Sequence, residues 1–193
     1  MSTAAVILAA GFSRRLGQPK QTLMLQGETL VERAARIAAE AGLVPVIVVV
    51  HRDADFCELL EKRGCVIAMN EQAAHGIASS IRRGVTVAQT FRATGVVLLT
   101  CDQIAMTREH LHQVAANPAT VTASSYAGRN GVPAYFPASH FDDLLHLHGD
   151  TGARELLRHA HSVANEALAI DIDTEEDLSH VQGQAVRKLV SRS

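Results

Sequence analysis

The sequence predicts an α/β domain built on a mostly parallel sheet, and three observations carry that expectation. Short apolar runs alternate with amphipathic helical patterns along most of the chain, the signature of βαβ units. Residues 119–126 and 132–136 read as two strands whose connection is too short for a parallel crossover, so a small antiparallel insertion is expected there. The 193 residues, 47% of them hydrophobic, suffice for one substantial core but not for two comfortable domains, so residues 1–193 are read as a single domain.

The elements follow in order. TAAVILAA before Gly11 is short and almost wholly apolar, as a strand covered on both faces should be. From Glu28 to Ala41, Leu30, Val31, Ala34, Ile37, Ala38 and Ala41 form one face of a helix that Gly42 ends. VPVIVVV (44–50) is a second buried strand despite Pro45, followed by a short helix through Phe56, Leu59 and Leu60 and a strand at 65–69. A helix from Gly76 carries a partly apolar stripe of Ile77, Ile81, Val85 and Val87, and GVVLLTC (95–101) is a strand ending at Asp102. Thr107 caps a helix from Arg108 that turns Leu111 and Val114 inward. A turn containing Gly128, Asn130 and Gly131 joins the two strands of the insertion. Helices at 138–147 and after Gly152, a strand at 164–170, a helix from Thr174 and a fraying tail at 187–193 complete the expectation.

Composition excludes several functions. A formal net charge of −2 with interspersed signs provides no basic face for nucleic acid, and no tryptophan and 4% aromatic residues leave no stacking platforms for single strands. No apolar stretch reaches bilayer length and the N-terminus lacks secretory-signal features, so a cytoplasmic protein without membrane association is expected. Cys57, Cys65 and Cys101 are odd in number and lack CxxC spacing, which argues against disulfides or zinc and for buried thiols. His140, His146, His148, His159 and His161 have no tight ligand pattern and read as solvated or satisfied side chains.

LAAGFSRRLGQPK (8–20) places a small-residue turn and three cations directly after the first strand, at the sheet edge where open α/β sheets bind ligands. Gly11 permits close backbone approach, N–H groups from Ala10 to Ser13 point outward, and Arg14, Arg15 and Lys20 supply charge for polyphosphate oxygens. Gln18 and Pro19 separate Gly17 from Lys20, so this is not a Walker A loop, and the G-x-G-x-x-G fingerprint is absent. The competing reading is an ordinary strand-to-helix loop with surface cations. At the end of VVLLTC, Asp102 is a suitable ligand for Mg²⁺, which needs few protein oxygens; alternatively it starts a turn or caps a helix. The helix beginning near Gly76 directs free N–H groups at a phosphate or base carbonyl, with Ser79 and Ser80 as ordinary helix residues in the alternative. Asp171 or Asp173 either reaches the metal or, for Asp173, starts a helix with Thr174 and Glu176.

Taken in order from Ala5 to Leu178, these segments resemble the MobA-like nucleotidyltransferases. Residues 8–20 match the family's LAxG-x-S-x-R-M-G-x-x-K with Leu16 for Met, a volume-conserving exchange. TCDQ stands where the family has LxGD or LxxD, keeping Asp102 and placing Cys101 where glycine is usual. Gly76, Ile77, Ser80, Ile81 and Gly84 match G-M-x-x-S-L-x-x-G. NGVPAYF (130–136), GDTGAR (149–154) and DIDTEEDL (171–178) are similar to the GHPV, GDxGAR and DIDTPEDL segments of the molybdenum cofactor cytidylyltransferase branch, with Val132 for His and Glu175 for Pro.

The resemblance implies a Rossmann-like three-layer αβα domain that transfers CMP from CTP, or another NTP, to a phosphorylated small molecule, foremost molybdopterin, with release of pyrophosphate. It implies Mg²⁺ held by Asp102 with Asp171 or Asp173, catalytic roles for Arg15, Lys20 and Asp102, and a molybdoenzyme or chaperone as protein partner. Binding positions carried over are Leu8, Ala9, Ala10, Gly11, Phe12, Ser13, Arg14, Asn70, Gly76, Ser80, Gln103 and Asp150, with Arg154 toward the acceptor's phosphate. Ala10, giving LAAG where guanylyl-transferring relatives carry LAGG, implies CTP over GTP. Transfer to a sugar phosphate or methylerythritol phosphate, and a non-catalytic nucleotide-binding module on the same fold, are the competing readings.

Overall fold

The structure is a computed structural model that describes residues 2–11 and 19–170. Its strands and helices are β1 (Thr3–Ala9), β2 (Met24–Leu25), β3 (Glu28–Thr29), α1 (Leu30–Glu40), β4 (Val46–Val50), α2 (Cys57–Lys62), β5 (Val66–Met69), α3 (Ile77–Thr90), β6 (Gly95–Thr100), α4 (Arg108–Val114), β7 (Thr122–Tyr126), β8 (Arg129–Pro137), α5 (Phe141–Leu145), α6 (Arg154–Leu157) and β9 (His161–Ala164). The main sheet has seven strands in the order β5-β4-β1-β6-β8-β7-β9. Among the described residues of this sheet only β8 runs against its neighbours, which confirms a mostly parallel sheet with an antiparallel insertion.

Period-two alternation of apolar side chains builds a core on each face, giving three layers. Ala5, Ile7 and Ala9 of β1 pack with Leu30, Val31, Ala34 and Ala38 of α1 and Leu111 of α4. Ala4 and Val6 face the other way, with Ile81, Val85 and Ala88 of α3 and Phe141 and Leu144 of α5. Gly84 lets α3 lie directly on the sheet, because a Cβ there would overlap Val6. The parallel register Leu8↔Thr100 brings the carboxyl ends of β1 and β6 level, and this sets up the site.

Several expectations are corrected in detail. The helix expected from Glu28 starts at Leu30, because Glu28 and Thr29 pair with Met24 and Leu25 in a small hairpin. Thr29 then caps α1, accepting from Glu32 N at 3.3 Å while Glu32 Oε2 accepts from Thr29 N at 2.9 Å. β4 starts at Val46, after Pro45, which has no N–H for the ladder and contributes its carbonyl to Ala5 N at 3.0 Å. The turn of the insertion is Ala127–Gly128, both at positive φ, so Asn130 and Gly131 lie inside β8. Instead of a strand at 164–170, β9 occupies His161–Ala164 along β7 and a 3₁₀ turn spans Glu166–Ala169; Ala167, Leu168 and Ala169 lack the branching at Cβ that favours extension. The expected helix at 138–147 is a 3₁₀ turn followed by α5. Cys101 is buried as expected, whereas Cys57 and Cys65 are only half-buried. The helix from Thr174 and the tail at 187–193 lie outside the described residues. Among the described residues no helix is long and apolar enough to cross a membrane.

Candidate active site

The backbone after β1 is pinned from inside. Gln21, buried in the 3₁₀ turn Lys20–Thr22, donates from Nε2 to Ala9 O at 2.7 Å and to Gly11 O at 3.0 Å. These bonds tie the start of the cation-bearing loop to the residues that follow it, and they fix where Lys20 emerges. Lys20 Nζ lies 3.5 Å from Asp102 Oδ2, the two side chains being 20% and 25% exposed. The first loop and the end of β6 therefore converge, as the position of both at the sheet's carboxyl edge requires. On the far side of the same segment, Arg33 of α1 donates to Ile104 O at 3.0 Å and holds the chain that follows Asp102. Burial, then the Asp102 charge, pushes the Cys101 thiol up to about 12, partly offset by Lys20, so it stays protonated and is no nucleophile.

Two clefts open at this edge. The smaller, about 380 Å³, is lined by Leu8, Ala10, Gly11, Gly76, Ser80 and Asp150 among others. The larger, about 670 Å³, shares Leu8, Ile77, Thr100 and Asp150 with it and adds Tyr126, Arg129, Asn130, Val132, Arg154 and Arg158. Between them stands the N-terminus of α3. Gly76 has φ +95°, and a Cβ on it would overlap Asp150 and the Gly149 backbone. Asp150 Oδ1 accepts from Ile77 N at 3.3 Å and Gly149 O from Ala78 N at 3.1 Å, so the helix end is capped by the chain that borders both clefts.

Asn70 is buried behind the smaller cleft and reaches its wall through Ser80. Its Nδ2 donates to Ser79 Oγ at 2.9 Å and Ser80 Oγ at 3.0 Å, and its Oδ1 accepts from Gln72 N at 3.0 Å. Ser80 is thereby oriented on the cleft wall. Gln103 is buried too, with its amide nitrogen engaged by Tyr126 and Val132. Ala9 faces the core and contributes its carbonyl, while Arg154 is exposed on the larger cleft. Phe12, Ser13, Arg14, Arg15, Asp171 and Asp173 lie outside the described residues. Gln21, Thr100, Tyr126 and Arg129 were not singled out by sequence reasoning. Only Gln21 had a local signal, its place directly after Lys20.

Residues 5–164 match the MobA-like NTP transferase domain. The chain belongs to this family. This MobA-like NTP transferase is 32% identical over 194 residues to the purine catabolism protein PucB of Bacillus subtilis, across 92% of this chain and 94% of the relative. It is 50% identical over 46 residues, 24% of this chain and 23% of the relative, to a probable molybdenum cofactor guanylyltransferase of Opitutus terrae. The crystal structure of Rv0371c from Mycobacterium tuberculosis in complex with manganese is similar at a TM-score of 0.72 and 26% identity, covering 95% of this chain and 99% of that one.

The donor set suits a hard divalent cation of this kind. Among the described residues no three His, Cys, Asp or Glu side chains gather into a closed metal cage. Asp102 provides one part-exposed carboxylate, which fits an ion that takes most of its shell from phosphate and water.

Proposed function

We propose that this MobA-like NTP transferase moves a cytidylyl group from CTP to a phosphorylated small molecule, foremost molybdopterin, and releases pyrophosphate. The approach of Lys20 to Asp102 at 3.5 Å carries the reading, because a metal-bound triphosphate needs a carboxylate for the ion and a cation for the oxygens at one point. In the reaction an oxygen of the acceptor's phosphate bonds to the α-phosphorus of CTP, and the bond from that phosphorus to the bridging oxygen breaks. A phosphate monoester is already a nucleophile, so the site needs alignment and charge neutralisation more than a base.

Each role falls to a named group. Lys20 and Arg15 neutralise the triphosphate, and backbone N–H groups from Ala10 to Ser13 cradle it. Asp102 would hold Mg²⁺, with Asp171 or Asp173 completing the shell. When bound, the ion polarises the α-phosphate and screens the departing charge. The base enters the smaller cleft, where Ser80, held by Asn70, presents its hydroxyl and the Ala10 methyl takes space a glycine would leave open. Arg154 and Arg129 line the larger cleft and hold the acceptor's phosphate.

A screen of the four ribonucleoside triphosphates with molybdopterin, following pyrophosphate and labelled product, tests the reading. CTP-dependent release supports it; no release with any triphosphate overturns it. The short identity with a probable molybdenum cofactor guanylyltransferase favours GTP as the second reading, and the same screen separates the two.

A further inference from the structure

The β7–β8 ladder breaks beside the larger cleft. Ala123 pairs with Ala134 and Ser124 with Gly131, so Val132 and Pro133 on β8 face no partner on β7, and the pairing with β6 stops at Ala134. Carbonyls left out of a ladder need other donors. Ser124 Oγ donates to Pro133 O at 2.6 Å. Val132 O receives Gln103 Nε2 at 2.9 Å and the Tyr126 hydroxyl at 3.0 Å, and Gln103 Nε2 also donates to Tyr126 Oη at 3.0 Å. The Tyr126 hydroxyl lies so close to β8 that a Cβ on Gly131 would come within 2.5 Å of it.

Gln103 is 4% exposed, and turning its amide over would set Oε1 against the Val132 carbonyl. In the orientation that donates, Oε1 is buried and meets no donor among the described residues. A buried acceptor left unmatched is unfavourable, so the side chain is kept for what its nitrogen does. That nitrogen joins the residue next to Asp102 to Tyr126 and Val132, both of which line the larger cleft.

We propose that Gln103 is a positioning residue for the acceptor: it fixes the wall of the larger cleft relative to Asp102 and does not bind the nucleotide. This rests on the reading of the larger cleft as the acceptor's. Gln103→Leu keeps the volume and removes both donations. Pyrophosphate release as a function of molybdopterin at saturating CTP gives the acceptor KM, and a titration with CTP alone gives nucleotide affinity. The acceptor KM should rise by about tenfold or more while CTP affinity stays within about twofold. Tyr126→Phe, which keeps the ring and removes one donation to Val132, should raise the acceptor KM by about threefold and leave CTP affinity unchanged. An acceptor KM within about twofold of wild type, or a loss of CTP affinity in step with it, overturns the proposal. If Gln103→Leu does not fold, an unchanged acceptor KM in Tyr126→Phe overturns it. A wild-type protein that binds CTP but gives no acceptor-dependent release takes down the assignment of the cleft itself, and the role of Gln103 with it.

Discussion

Lys20 Nζ and Asp102 Oδ2 stand 3.5 Å apart although they come from opposite ends of the domain's first half. The contact follows from two facts of the backbone. β1 and β6 are parallel neighbours with Leu8 level with Thr100, and Gln21 anchors the start of the 3₁₀ turn to the Ala9 and Gly11 carbonyls. Opposite charges thus meet at a part-exposed point just past the end of β6, whose last residue, Thr100, lines both clefts.

Lys20→Ala should lower kcat by about 10²–10³, the loss expected for one preorganised donor at a developing charge. The pair is part exposed, so the melting temperature should hardly move, a loss of about 0–1 kcal/mol. Pyrophosphate release and a thermal melt check both halves, and turnover near wild type removes Lys20 from the mechanism.

Gln21→Leu should act on stability and nucleotide binding together. It strips two carbonyls of their donor, which costs about 1–3 kcal/mol, and loosens the backbone at Ala9 and Gly11, beside the groups that the proposed function sets against phosphate. Urea denaturation should show the loss, and the KM for CTP should rise; a variant as stable as wild type would mean that water replaces the amide.

Ala10→Gly should raise the use of GTP relative to CTP by enlarging the smaller cleft at the base. Competition between the two triphosphates in one assay reads the ratio directly. An unchanged ratio retires Ala10 as a determinant of the base.

His110 predicts a pH effect on folding. Burial holds its pKa below the ordinary 6.5, and Nε2 must donate to Ser124 Oγ at 2.7 Å because the serine's own proton goes to Pro133 O. Above that ordinary value both folded and unfolded chains are neutral here, so the residue contributes no slope. As pH falls below it, the unfolded chain takes up a proton that the folded one refuses, and stability is lost. Urea midpoints at pH 7.5 and 5.5 should fall further apart for wild type than for His110→Gln; equal separations would contradict the assignment.

The sheet strands were legible because burial on both faces leaves a continuous apolar run, as in Val46–Val50 and Gly95–Thr100. The approach of Lys20 to Asp102 was legible for a related reason, since loops at the carboxyl ends of parallel strands share one edge. The hairpin of Met24–Leu25 with Glu28–Thr29 escaped because two residues per strand carry no period. β9 was misplaced because an edge strand with one part-buried side chain, Val163, differs little from a loop. Gln21, Gln103 and His110 are polar residues whose roles depend on partners brought close only by the fold, carbonyls for the two glutamines and the Ser124 hydroxyl for the histidine, and no local pattern announces such partners.

In the proposed function Asp102 and Lys20 serve one metal-bound nucleotide. CTP binding to wild type and to Asp102→Asn, titrated with and without Mg²⁺, tests it most directly, with a thermal melt to confirm that the variant is folded. Wild type should bind CTP more tightly when the ion is present, and Asp102→Asn should lose that response and its pyrophosphate release while keeping the weaker, metal-free binding. A folded Asp102→Asn that still tightens on CTP when Mg²⁺ is added would contradict it.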